Sequence, residues 1–133
     1  MTQLKWWLRI VGGVYVLNAV MMGVVRAPIA SAGPEGALAR AAAGDPTARF
    51  LVDTWVGFGL EVAAVGIALL LASRVPASAR ALAWAVIGIE IARGIVYDLY
   101  MLAQGYSFNV YGPWLLVHTV IIITGVISLR KAR

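Results

Sequence analysis

Cysteine is absent from the chain, histidine occurs once, and only 13% of the 133 residues are charged, against 62% hydrophobic. Without cysteine there are no disulfides, no thiolate metal sites and no thiol nucleophile. His118 is the one strong axial candidate for haem, which argues against that cofactor. Glu61, Glu90 and His118 could supply three metal ligands, but no EXXH or HEXXH spacing accompanies them. Phosphate loop, dinucleotide fingerprint and serine nucleophile elbow are missing too. The expectation is a chain with no metal and no cofactor.

The shortage of charge is informative in itself. Soluble domains carry about 25% charged residues, and the mean hydropathy here is +0.86. Too few polar side chains remain to cover a soluble sphere, so the composition is that of a membrane protein. Four apolar segments stand out, at about 4–25, 50–72, 81–103 and 111–129. Each approaches the ~20 residues that cross a ~30 Å hydrocarbon core, and an open sheet cannot satisfy its backbone in lipid. The expected fold is all-α: one integral membrane four-helix bundle over residues 1–133. Intramembrane glycines such as Gly59, Gly66, Gly94 and Gly125 would let its helices approach closely.

The connections are Gly- and Pro-rich at 27–49, with room for a short helix near 35–43, and short at 73–80 and 104–113. Four spans put both termini and the 73–80 turn on one side. That side holds Lys5, Arg9, Arg74, Arg80, Arg130, Lys131 and Arg133; the other holds Arg26, Arg40 and Arg49. The imbalance places the termini in the cytoplasm and the 27–49 loop outside. It also explains the net charge of +5 by topology, which leaves no reason to invoke nucleic acid. The first segment, followed by Ala30-Ser31-Ala32, also has the outline of a signal peptide; it is read here as a span.

Polar groups inside the spans are the functional candidates, because a charge at mid-bilayer costs ~2.5–3.5 kcal/mol on insertion scales. On the third segment, at ~100° per residue, Glu90, Arg93, Tyr97 and Tyr100 share an arc of roughly 80°. Asp98 falls about 140° from Arg93 on the same wheel, near the outer boundary, where it needs no special explanation. On the second, Glu61 lies near mid-depth and Asp53 near the outer interface, with Trp55 and Phe58 facing elsewhere. Tyr15, Asn18 and Met22 form a stripe on the first, and Trp114, His118 and Gly125 align on the fourth.

Two readings follow. In one, the charges only neutralise each other, Glu90 with Arg93 on one helix or Glu61 with Arg93 across helices, and fix the packing. In the other they line a cavity for a lipophilic small molecule. Low dielectric favours a neutral carboxylic acid, which can donate a proton. Glu61 and Glu90 are then the acid and base, Arg93 keeps one of them ionised, and His118, Asp53 and Asp98 are further catalytic candidates. Tyr15, Asn18, Met22, Trp55, Tyr97, Tyr100 and Trp114 would bind the substrate. His118 taken alone reads first as a hydrogen-bonded structural residue.

TWVGFGLE at 54–61, EIARGIVYDLYMLAQGY at 90–106 and VHTVIIITGV at 117–126 resemble the BphX-like family of small four-span bacterial proteins, related in architecture to the DoxX-like group. The resemblance covers most of the chain outside 27–49. It implies that Trp55, Glu61, Glu90, Arg93, Asp98, Tyr100 and His118 are family positions, and its association with aromatic-compound degradation hints at lipophilic substrates. The leading expectation is a membrane-embedded binding protein or cofactor-independent enzyme, an isomerase, cyclase or epoxide-opening hydrolase. The alternative is a non-catalytic accessory subunit of a larger membrane complex. Proton-coupled transport, in a homodimer, ranks third. The bilayer is a partner in every reading.

Overall fold

The computed structural model describes residues 1–25 and 36–132. These are helical, with no strand among them. In chain order they form α1 (Thr2–Val20), a π-helical turn π1 (Met21–Val25), α2 (Ala37–Ala42), α3 (Pro46–Ala72), α4 (Arg80–Ile89), a second π-helical stretch π2 (Glu90–Val96), α5 (Tyr97–Ala103) and α6 (Phe108–Lys131). Arg26, Arg133 and the Ala30-Ser31-Ala32 motif lie outside the described residues.

Among the described residues three helices are long and apolar enough to cross a membrane: Thr2–Gly23, Pro46–Ala72 and Phe108–Lys131. Their lengths follow the apolar segments of the sequence to within a few residues. The segment expected at 81–103 is helical from Arg80 to Ala103 but is assembled from α4, π2 and α5. Its junctions keep helical backbone angles, at Glu90 (φ −60°, ψ −38°) and Tyr97 (φ −67°, ψ −44°), so the direction of hydrogen bonding changes register without a break.

Large apolar side chains crowd the surface: Phe50, Leu60, Leu116 and Ile10 are each more than three-fifths exposed. Water would not tolerate so much contiguous apolar area on a monomer, whereas hydrocarbon favours it. Hydroxyls in the spans find partners in their own helix, since Thr54, Thr119 and Thr124 donate to the carbonyls of Phe50, Leu115 and Val120 at 2.6–2.8 Å. Such back-bonding satisfies a polar group where no water is present.

The chain divides into two compact units, Met1–Val11 with Leu69–Arg133, and Gly12–Ala68. In the first unit Leu4, Leu8, Leu69, Val86 and Leu129 are fully buried. The Trp7 indole N–H donates to the Ile121 carbonyl at 3.1 Å. A Cβ on Gly125 would stand 2.8 Å from that indole, so glycine is what lets Trp7 lie on the α6 backbone. Arg9 Nε reaches Ser73 Oγ (3.4 Å) and Arg80 Nη1 reaches the Leu129 carbonyl (3.5 Å). The start of α1, the 73–80 turn and the end of α6 therefore share one end of this unit.

In the second unit α1 and α3 pack at backbone range. A Cβ on Gly66 would lie 2.9 Å from the Gly12 carbonyl oxygen and from Tyr15 Cβ, and one on Gly59 would touch Met22. The connection into α3 is strongly specified by three residues. Gly44 (φ +92°) closes α2, with Gly44 N–H bonded to the Ala41 carbonyl and Asp45 N–H to that of Arg40, the Schellman pattern. Asp45 then caps α3 by accepting from the N–H groups of Thr47 (2.9 Å) and Ala48 (3.1 Å), with Pro46 in the first helical position. Replacing Asp45 with alanine is expected to cost about 1 kcal/mol, read as a lower unfolding midpoint in detergent, while Asp45→Asn retains most of it.

Candidate functional site

The polar groups of the first unit meet on the inner face of π2 and α5. Glu90, Gly94 and Asp98 are its buried positions in π2 and α5, four residues apart. In a regular α-helix such a series drifts by about 40° at each step and leaves Asp98 well round from Glu90. The wider i→i+5 turns of a π-helix advance each residue less, so seven of them give back about one-third of a turn. The sequence-based wheel assumed an uninterrupted α-helix and set Asp98 aside at the interface. Asp98 is in fact buried, with its side chain 7% exposed.

What these residues face is His118. Its Nδ1 lies 2.6 Å from Glu90 Oε2, short enough that one proton must sit between them. Its Nε2 lies 3.7 Å from Asp98 Oδ2, beyond direct hydrogen bonding. The imidazole therefore stands between two carboxyl groups, held at one nitrogen and presented at the other. Glu90 is closed off, 3% exposed at its side chain, while His118 is 22% exposed and so reachable from outside the line. The ring rests on Gly94, whose absent side chain makes the space: a Cβ there would lie 2.6 Å from Nδ1 and 2.8 Å from Cδ2. Trp114, one turn earlier on α6, sits 6.2 Å from the imidazole at an interplanar angle of 32°.

Asp98 Oδ2 is fully enclosed and has no hydrogen-bond partner among the described residues. A buried carboxyl oxygen in that condition carries a desolvation cost that no hydrogen bond offsets. Enclosed as it is, Oδ2 meets a guest oxygen placed between it and Nε2 only after the side chains around Asp98 move aside.

Arg93, Tyr97 and Tyr100 are on the exposed side of π2 and α5, so the arc they were expected to share with Glu90 is split by the same change of register. In the second unit Glu61 and Asp53 are exposed on α3, Met22 is buried, and Tyr15 and Asn18 are half-buried. Trp55 packs against Phe58 with ring centroids 5.8 Å apart, and its indole N–H is buried without a hydrogen-bond partner among the described residues. No group of three or more metal-ligating side chains suited to an ion is found among the described residues.

These observations define a helical membrane protein with a carboxyl–imidazole–carboxyl line between π2–α5 and α6. The whole chain, residues 1–133, matches the BphX-like family, and the protein belongs to it. No protein of curated function and no solved structure matches significantly.

Proposed function

We propose that this BphX-like protein is a multi-pass protein of the bacterial inner membrane, a four-span bundle with cytoplasmic termini, that binds a small lipophilic molecule and acts on it by acid/base chemistry. The unpartnered Asp98 Oδ2, 3.7 Å from His118 Nε2, carries the reading. Glu90 positions the imidazole through Nδ1 and fixes which nitrogen faces the guest. Nε2 takes a proton from the substrate while the Asp98 carboxyl gives one, so an isomerisation or cyclisation closes with no net proton exchanged. Opening of an epoxide fits the same pair, Asp98 protonating the ring oxygen and Nε2 activating a water. Such bifunctional transfer in a site shielded from solvent typically contributes ~10²–10⁴-fold per group. Trp114 and the apolar walls of the helices would hold the carbon skeleton.

The test is to purify the chain natively, move it into nanodiscs of one synthetic lipid, and analyse the organic extract by mass spectrometry. The wild-type protein is expected to retain an oxygen-bearing lipophilic compound, and Asp98→Asn to retain at least about tenfold less, as loss of one buried hydrogen bond to an acid implies. Identical extracts from both would remove the proposal. A stoichiometric protein partner, indifferent to Asp98→Asn, would favour the accessory-subunit reading instead.

A further inference from the structure

The six acidic residues of the chain all lie between positions 35 and 98. None falls in the three segments that meet at the α1–α6 end of the first unit: the start of α1, the 73–80 turn and the end of α6. Those segments carry Lys5, Arg9, Arg74, Arg80, Arg130 and Lys131. Hydrogen bonds gather them, Arg9 to Ser73 Oγ and Arg80 to the Leu129 carbonyl. These contacts use two of the guanidinium groups to hold the segments together, and they leave Arg74, Arg130 and Lys131 exposed on the gathered end. Like charges brought together without a counter-charge repel one another unless something anionic joins them.

A second observation gives the level at which that partner sits. Trp6 and Trp84, each half-exposed, flank the cluster, Trp84 one turn beyond Arg80 on α4. The Arg9 guanidinium lies over the Trp6 ring, 5.3 Å from its centroid. Exposed tryptophans mark the plane where hydrocarbon gives way to headgroups, so the basic groups lie at phosphate depth. We infer that this end of the protein is a binding site for the headgroup of an anionic phospholipid. The lipid's phosphate meets Arg74, Arg130 and Lys131, with its glycerol backbone beside the indoles. Attraction of this kind is additive in charge and sensitive to salt.

The full chain in neutral detergent, titrated with short-chain phosphatidylglycerol and followed by native mass spectrometry and by unfolding midpoint, tests this site apart from the acid/base site. Phosphatidylglycerol is expected to bind and raise the midpoint, with both effects weakening as salt is added. The triple variant R74Q/R130Q/K131Q is expected to keep the lipid-free midpoint of the wild type and to bind phosphatidylglycerol at least about tenfold more weakly. An equal response to phosphatidylcholine would overturn the proposal, as would an equal response to inorganic phosphate, which would show a phosphate site with no lipid specificity. A triple variant that binds as the wild type does would overturn it too. Should the triple variant lose stability before any lipid is added, the single variant R74Q is measured in its place and is expected to weaken binding about threefold; no weakening overturns the inference.

Discussion

His118→Leu is expected to destabilise the protein by about 3–5 kcal/mol, the size of effect seen when one member of a buried charged cluster is removed. The substitution removes the 2.6 Å contact of Glu90 and the imidazole beside Asp98. Reversible unfolding in mixed micelles measures the loss. The cost should fall by more than half when Glu90→Leu accompanies His118→Leu, because removing both partners of a buried pair leaves less polarity unsatisfied. A single-variant cost below about 1 kcal/mol would mean that the Glu90–His118 contact behaves like an exposed pair, and that the helix around it is wet.

Gly94→Ala makes a sharper prediction, because two effects of opposite sign compete. Alanine in place of glycine inside a helix ordinarily gains up to about 1 kcal/mol. At Gly94 the new Cβ would sit 2.6–2.8 Å from His118 ring atoms, and overpacking of that kind costs about 1–3 kcal/mol. Repulsion wins, and relief comes by swinging the imidazole away from Glu90. Gly88 provides the control, since nothing lies within 4 Å of its added Cβ. Gly88→Ala should therefore be neutral or slightly stabilising in the same assay, while Gly94→Ala both lowers stability and reduces ligand retention. Equal behaviour of the two would contradict the placement of His118 over Gly94.

The membrane character, the helical fold and the extents of the long helices were legible in hydropathy, because length and apolarity act locally and additively. Within the site, Glu90 and His118 were both recognised as expensive polar groups facing one interior, but hydropathy and spacing did not assign the specific contact between them. The reason lies in π2. Nothing in EIARGIV marks a π-helical turn, and a wheel at constant pitch carries its error forward, so Asp98 was assigned to the interface and Tyr97 and Tyr100 to the interior. Gly94 was recognised as a residue of close approach, but sequence alone does not say which side chain approaches. The burial of Asp98 is the largest consequence of that one change of register.

The chain has a single histidine, so solid-state NMR with isotope labels on the imidazole nitrogens reports the proposed site without ambiguity. In bilayers at neutral pH, the wild-type spectrum should show two inequivalent ring nitrogens, with Nδ1 in a strong hydrogen bond. Glu90→Gln should move the Nδ1 resonance chiefly, and Asp98→Asn the Nε2 resonance, each nitrogen reporting its own carboxyl group. Two exchange-averaged nitrogens of a free imidazole, unmoved by either substitution, would contradict the account.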